Sequence, residues 1–351
     1  MSFSFERITG LVLALTVVFM SATVLLSQDL NQQKQAKIKQ INEIDVKMKS
    51  AGITPEDYED LGKKRARLVA EVKEIDKKLM ADADAMKKIN AVKRAFNDGN
   101  NAYKLGQYQQ ALSHYDKAIS LDNTFYRAHY GKGLTLKKLR KYSEAIEAFK
   151  NTVEQNPAYV NGYLALGTTY SQLSQPDQAI QVYNTAIARD PSSAKIYYSL
   201  GEVYLNRKKN YRKAAENFSK ATQINPEYDT AFLSLGTSLI ELGKLNQAVN
   251  ALENALAVTH RKKWEAPHYR LAVAYNKQGK FSKAKAAALE ALNNKRNYAP
   301  AAYEAGKAAK ELGQFNDAIK YFRVAGKSRV WKKAADYEID LIVNRDKYGS
   351  N

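Results

Sequence analysis

Apolar positions along this chain repeat at a step long enough for two helices and the turns that join them. One series of small residues advances by 34, 34, 34, 35, 36 and 34 residues: Gly99, Gly133, Gly167, Gly201, Gly236, Ala272 and Gly306. A series of alanines keeps nearly the same step: Ala111, Ala145, Ala179, Ala214, Ala248, Ala284 and Ala318. The pattern predicts an internal repeat of helical hairpins. The seven predicted repeats are 92–125, 126–159, 160–193, 194–228, 229–262, 265–298 and 299–332.

Turn-forming residues stand at the ends of the predicted helices. Four glycines close first helices: Gly106, Gly243, Gly279 and Gly313. Three second helices stop at an Asx-Pro pair, because proline cannot continue a helix: Asn156-Pro157, Asp190-Pro191 and Asn225-Pro226. The extra residue of the fourth repeat falls near Lys208-Lys209-Asn210, which predicts a longer turn there.

The residues at the repeating positions resemble those of the tetratricopeptide repeat (TPR) family. The third repeat carries the whole signature as Tyr163, Leu166, Gly167, Tyr170, Ala179, Tyr183, Ala186 and Pro191, and the fourth carries Tyr197, Leu200, Gly201, Tyr204, Ala214, Phe218, Ala221 and Pro226. Departures fall mostly towards the ends of the array. The resemblance implies an all-α fold, a right-handed α-solenoid of helical hairpins whose first helices line a concave face.

On that concave face, the resemblance implies a ligand groove. The position after the large core residue of each first helix holds an aromatic residue or leucine: Phe96, Tyr130, Leu164, Tyr198, Leu233, Tyr269 and Tyr303. We call these residues the groove row. A row of large amphipathic side chains suits an extended peptide or a partner helix. The alternative is that they only pack against the neighbouring helix.

Some members of the family hold the carboxylate tail of a chaperone with lysines, asparagines and an arginine. Of the five corresponding positions here, only Asn100 carries the expected residue type. The other four are Phe96, Gly131, Asn161 and Ala165. The sequence therefore predicts a different ligand for the first three repeats.

Two basic clusters fall in turns within repeats, so we expect them along one edge of the solenoid. They are Lys137, Lys138, Arg140 and Lys141, and then Arg207, Lys208, Lys209, Arg212 and Lys213. Two interpretations remain open. These residues contact an anionic surface, or they are solvated loop charges.

Residues 1–28 are predicted to be a transmembrane anchor or a signal peptide. The segment 8–28 is 21 residues long and carries no charge, and a membrane-spanning helix needs ~20 apolar residues. A cleaved signal peptide is the alternative. Either one directs the chain to a membrane, and we expect the repeats in the cell envelope on the extracytoplasmic (periplasmic) side.

Residues 29–91 are predicted to form a helical stalk, broken at 51–55. Thr54, Pro55 and Asp57 form a helix start resembling a capping box. Leu61, Leu68, Ile75, Asp82 and Ile89 are seven apart in the second helix, which indicates a coiled coil. The pattern fits an intramolecular hairpin and a homodimer equally well.

Residues 333–346 are predicted to be a capping helix, followed by a tail over 347–351. Its predicted apolar stripe is Ala334, Tyr337, Leu341 and Ile342. Its predicted polar face is Lys333, Asp336, Asp340 and Arg345.

Candidate catalytic chemistry is sparse. The chain has no cysteine, and its histidines (His114, His129, His260 and His268) lack the spacing of a metal site. No phosphate-binding loop or nucleophile motif is present. We therefore expect a protein that is not an enzyme and carries no cofactor. The formal net charge of +19 favours anionic partners, but nucleic acid is not expected of a chain directed to a membrane.

Together these features predict a membrane-tethered scaffold that binds a peptide segment or partner protein in its concave groove. The alternative is a structural protein that self-assembles into a homo-oligomer through the coiled coil and the solenoid faces.

Overall fold

The computed structural model describes residues 28–48 and 53–344, and these are entirely α-helical apart from turns. Most of the predicted membrane segment, the centre of the predicted stalk turn, Arg345 and the tail lie outside the described residues. Within the described ranges, none of the helices combines the length and the apolarity needed to cross a bilayer.

The chain divides into two compact units. The N-terminal unit holds the described residues up to Ala102 together with Ser113–Asn123. The solenoid unit holds Tyr103–Leu112 together with the described residues from Thr124 onward. The first predicted repeat, 92–125, is therefore shared between them.

The N-terminal unit is built on two long helices, α1 over 28–48 and α2 over Pro55–Lys104. As predicted, Thr54 caps α2. Its Oγ1 accepts a hydrogen bond from the Asp57 backbone N–H at 3.1 Å, and Pro55 takes the first helical position. Helix α2 continues without a break through 91/92, so the sequence boundary between stalk and repeats is not a structural one.

Helices α1 and α2 form an antiparallel intramolecular hairpin. Lys34 pairs with Asp76 at 2.5 Å, and further along the chain Asp45 pairs with Arg65 at 2.6 Å. The partner numbers fall on α2 as they rise on α1, which is antiparallel register. Leu68 and Ile75, two positions of the predicted heptad seam, are buried. The hairpin is one of the two arrangements that the heptads left open, and these contacts show it within the chain.

The third helix, α3, spans Tyr108–Leu121 and contributes its second half to the N-terminal unit. There the ring of Tyr115 is 2% exposed and lies against Gly99 of α2. A Cβ atom on Gly99 would approach Cε1 of that ring to 2.7 Å.

The solenoid unit contains six complete helical hairpins and a final helix. The first helices are α4 Tyr126–Lys138, α6 Val160–Gln172, α8 Ala194–Asn206, α10 Asp229–Glu241, α12 Glu265–Lys277 and α14 Ala299–Glu311. The second helices are α5 Tyr142–Gln155, α7 Pro176–Arg189, α9 Tyr211–Ile224, α11 Leu245–Val258, α13 Phe281–Asn294 and α15 Phe315–Gly326, and α16 Lys332–Val343 follows. Each first helix starts at the residue where a predicted repeat starts.

The turn inside each of the seven repeats, including the one between α2 and α3, contains one residue with left-handed backbone. Four are the predicted glycines, for example Gly243 with φ +72°. In the remaining three hairpins Arg140, Ser174 and Lys209 adopt this conformation, with φ of 60°, 58° and 52°. A residue with a Cβ is disfavoured there. The turn requires this geometry whichever residue occupies it.

Second helices end as the Asx-Pro pairs predict. Asn156, Asp190 and Asn225 are the C-caps of α5, α7 and α9. Each side-chain Oδ1 accepts a hydrogen bond from the backbone N–H two residues later, at 3.1, 2.9 and 3.1 Å. These Asx turns start the link to the next repeat.

The final helix buries only part of the predicted stripe, since Ile342 is buried and Tyr337 is not. Its inward-facing residues are Ala335, Ile339 and Ile342, whereas Tyr337 of the predicted stripe is 62% exposed. The prediction was wrong by one position at the start of the helix.

The contacts of Glu338 explain which face of α16 is turned towards α14. Lys310 of α14 donates to Glu338 Oε2 at 2.7 Å, and the phenol of Tyr303 lies 3.4 Å from Oε1. The ring of Trp331, at the start of α16, packs on Tyr303 with centroids 4.9 Å apart. These contacts turn Glu338 towards α14, so the residues one helical turn before and after it are buried.

Candidate ligand-binding groove

The first helices of the solenoid unit form its inner layer. Each contacts the first helix of the next repeat, from α4–α6 through α12–α14. Within the described residues no comparable contact joins successive second helices. Helices that pack on one another follow the shorter, inner path of a curved stack, so the first helices line the concave face.

The six members of the groove row in the solenoid unit lie on this face, and all of them are half-buried. The four tyrosines of the row in the solenoid unit pack on the aromatic residue that precedes the next first helix or, for Tyr303, the final helix α16. Ring centroids are 5.2 Å apart for Tyr130–Tyr159, 5.0 Å for Tyr198–Tyr228, 5.6 Å for Tyr269–Tyr298 and 4.9 Å for Tyr303–Trp331. The two interpretations of the row are compatible, because each ring packs within the protein and leaves part of its surface to solvent.

Burial raises the pKa of these phenols, because the charged phenolate is disfavoured away from water. The pKa of Tyr228 and that of Tyr303 are each raised to about 12. The pKa of Tyr130, Tyr198 and Tyr269 is raised by the same cause. At neutral pH the row is uncharged and presents ring faces and hydroxyl groups.

A cavity of about 420 Å³ opens on the concave face across α8, α10 and α12. Two members of the groove row, Leu233 and Tyr269, line it. Its charged lining residues are Glu202, Lys209, Glu241 and Arg270. The predicted row therefore runs into a polar recess built from three consecutive repeats.

Glu202 is the most unusual group of this recess. It is half-buried, and both of its oxygens accept hydrogen bonds from neutral donors: Ser234 Oγ at 3.2 Å and Asn206 Nδ2 at 2.9 Å. Burial raises the pKa of its carboxyl, although these two hydrogen bonds act in the opposite direction. Sequence reasoning missed Glu202. The only available signal was a lone acidic residue four positions after Tyr198 on the same helix face.

Phe96 and Asn100 belong to the N-terminal unit. The ring of Phe96 packs on Tyr115 with centroids 6.0 Å apart. Tyr115 donates its hydroxyl hydrogen to Asn100 Oδ1 at 2.8 Å. Asn100 therefore already serves as a partner for a core tyrosine.

Comparison with known families identifies the repeats. Residues 101–233 match the model of the N-terminal TPR repeats region of Psidin, and residues 233–302 and 299–325 match two tetratricopeptide repeat models. The repeats are tetratricopeptide repeats. No sequence among the curated proteins gives a significant match to this chain.

Solved TPR structures share the fold at low sequence identity. A tetratricopeptide repeat protein from Parabacteroides merdae is 16% identical, with a TM-score of 0.50, over 72% of this chain and 99% of that one. PilF of Pseudomonas aeruginosa is 15% identical, with a TM-score of 0.51, over 61% and 96%. PilW, a type IV pilus biogenesis factor, is 18% identical, with a TM-score of 0.51, over 62% and 98%. TPR arrays of this kind act as protein-interaction scaffolds.

The two basic clusters span turns of the TPR hairpins and the adjoining ends of α4 and α9, and several of their charges have partners within the protein. Lys208 pairs with Asp177 at 2.8 Å and Lys141 with Glu144 at 3.2 Å. Lys213 Nζ lies 5.3 Å from the centre of the Tyr204 ring. Lys137 is half-buried, and burial lowers its pKa. Lys138, Arg140, Arg207, Lys209 and Arg212 are exposed.

The histidines fit the TPR framework. His129 is buried in α4, and His268 is half-buried in α12, where burial lowers its pKa. In the part of the chain that the structure describes, no group of three metal-ligating side chains comes together.

Proposed function

We propose that this chain is a protein-interaction scaffold whose concave face, in the solenoid unit, binds an extended segment of a partner protein. The observation that carries the proposal is the recess across α8, α10 and α12, which continues the row of half-exposed aromatic side chains. A ligand that touches one side chain per repeat must be elongated, which favours an extended peptide over a compact small molecule.

The proposal includes a membrane tether. Its support is the uncharged segment 8–28, whose length suits a membrane-spanning helix. In this proposal the scaffold acts in the cell envelope with its repeats on the extracytoplasmic side. Alkaline phosphatase fused after the last residue would be active in that topology, and an inactive fusion with an intact membrane fraction would contradict it.

Site-specific photo-crosslinking tests the groove. A photoreactive phenylalanine at Thr237, which lines the recess, is expected to crosslink a partner in native cells, whereas the same residue at the exposed Glu216 of α9 is not. Mass spectrometry then identifies the crosslinked peptide.

A blocking variant provides the second half of the test. Ala266 lines the recess, so Ala266→Trp is expected to fill it and abolish the crosslink from Thr237. The matched control is Ala257→Trp, at an exposed position of the second helix α11. Equal crosslinking by both variants would remove the groove assignment.

The alternative of self-assembly through the stalk has weaker support. The ion pairs between α1 and α2 use the heptad-bearing face within one chain, and Leu68 and Ile75 are already buried there. A second copy would have to displace α1 to use that part of the seam.

A further inference from the structure

Glu202 lacks a cation, unlike several other carboxylates of the solenoid unit. Asp317 pairs with Lys285 at 2.7 Å, Glu338 with Lys310 at 2.7 Å and Glu265 with Lys295 at 3.2 Å. Among the described residues no lysine, arginine or histidine lies within ion-pair distance of Glu202. Its two hydrogen-bond donors, Ser234 and Asn206, are neutral.

An ionised carboxylate that is half-buried without a counter-charge is unfavourable, because burial removes the water that stabilises its charge. A carboxylate has about four acceptor positions, and two of them are used here. A ligand can supply both the missing positive charge and the missing hydrogen bonds.

We propose that Glu202 is the anchor of a subsite for a positively charged side chain, lysine or arginine, of the segment bound in the groove. This inference rests on the proposed function and specifies the chemistry of its ligand. The subsite consists of Glu202 and the phenol rings of Tyr198 and Tyr228.

The aromatic surroundings suit a cation. Tyr198 precedes Glu202 by four residues on α8, so the two side chains lie on one face of that helix, and Tyr198 packs on Tyr228. Their rings pack with centroids 5.0 Å apart. Ring faces attract ammonium and guanidinium groups, and the alkyl stem of a lysine or arginine packs well on an aromatic surface.

The other charges of the recess are compatible with this ligand. Glu241 adds a second negative charge to the lining. The guanidinium of Arg270 lies 5.1 Å from the centre of the Tyr269 ring, and Lys209 is exposed in the turn after α8. Neither cation forms an ion pair with Glu202. An acidic side chain placed beside Glu202 would meet a carboxylate that has no ion-pair partner, so the charge at this position favours a basic residue.

The volume is also appropriate. Sites for small ligands measure about 300–1,000 Å³, and the recess, at about 420 Å³, lies at the lower end of that range. It suits one long side chain with its flanking backbone rather than a folded element.

The test uses single-residue probes on the full chain. Saturation-transfer NMR is recorded with Nα-acetyl-lysine methylamide, with its uncharged analogue Nα-acetyl-norleucine methylamide, and with Nα-acetyl-glutamate methylamide. The lysine probe is expected to give the strongest signal. Glu202→Gln, which keeps the shape of the side chain, is expected to weaken binding of that probe by tenfold or more. The matched control Glu216→Gln, at an exposed position of α9, should leave it unchanged.

Each other outcome overturns the proposal. Equal binding of the lysine and norleucine probes shows that charge is not recognised. If the lysine signal is retained in Glu202→Gln but lost in Glu241→Gln, the cation binds Glu241 and not Glu202. Absence of binding by any probe removes the subsite. The crosslinking from Thr237 does not require Glu202, so failure of the subsite and failure of the groove are separate results.

Discussion

Gly201 and Phe218 occupy one space between the two helices of their repeat. A Cβ atom on Gly201 would stand 2.7 Å from Cε1 of the Phe218 ring. The sixth repeat reverses this relationship, because Ala272 replaces the glycine and Ala288 replaces the ring, and both alanines are completely buried. The two positions compensate in size, as expected of a close-packed interface.

We therefore expect Gly201→Ala to destabilise its repeat. Overpacking costs about 1–3 kcal/mol, and the better helix propensity of alanine returns up to about 1 kcal/mol. Native-state hydrogen exchange should report a lower opening free energy for amides of α8 and α9. The control is Gly62→Ala in α2, where the nearest atom to an added Cβ is 4.0 Å away. That variant should be neutral or stabilising. Unchanged protection in Gly201→Ala would show that the ring accommodates the methyl group.

Lys209 holds a left-handed backbone conformation, with φ of 52°, at the position where four other hairpins have glycine. Left-handed backbone costs a residue with a Cβ about 1–2 kcal/mol. Glycine avoids that cost, but it loses more conformational entropy on folding, which costs about 0.5–1 kcal/mol. Lys209→Gly should increase the free energy of unfolding by about 0.5–1 kcal/mol and so raise the thermal midpoint slightly. Lys209→Ala distinguishes the effect of backbone conformation from the effect of the lysine charge. It removes the charge but keeps the Cβ, so an equal gain in both variants would assign the effect to charge.

The Glu202 carboxyl should make stability depend on pH. Its pKa is raised in the folded state, so the folded state binds more protons than the unfolded state between the ordinary pKa and the raised one. Stability is then lost as the pH rises through that interval. Glu202→Gln should raise the thermal midpoint at pH 7 and have little effect well below pH 4.5, the ordinary value. If Glu202→Gln instead lowers the thermal midpoint equally at pH 7 and well below pH 4.5, the Glu202 side chain contributes through its hydrogen bonds, and its ionisation does not reduce stability.

The α1–α2 hairpin can be tested by crosslinking, since the chain has no cysteine of its own. Asp45 and Arg65 form an ion pair at 2.6 Å. In the double variant Asp45→Cys, Arg65→Cys, a short bismaleimide should join the two residues within one chain. Electrophoresis should then show a compact monomer. A covalent dimer as the main product, absent from either single variant, would instead favour a domain-swapped or homodimeric stalk.

Much of the fold follows from local pattern. The repeat starts at 126, 160, 194, 229, 265 and 299 coincide with the first residues of helices. Turn glycines, Asx-Pro pairs and the Thr54 cap lie where the pattern predicts them, because each depends on residues only a few positions apart. The groove row was predictable for a related reason. One register position recurs in every repeat and faces the same side of the stack.

The remaining features required contacts between repeats. The final helix buries Ala335 and leaves Tyr337 exposed, and on the same helix Glu338 accepts a hydrogen bond from Lys310 of α14.

By itself, the sequence determined the repeating unit, its helices and the face they present, since these depend on spacing along one chain segment. Only the tertiary structure decided that α1 folds back on α2, that Arg140 and Lys209 adopt glycine-like turns, and that Glu202 lies beside Ser234 from the next repeat. Those outcomes depend on which side chains distant segments bring together, and burial and charge act on them only after the helices have packed.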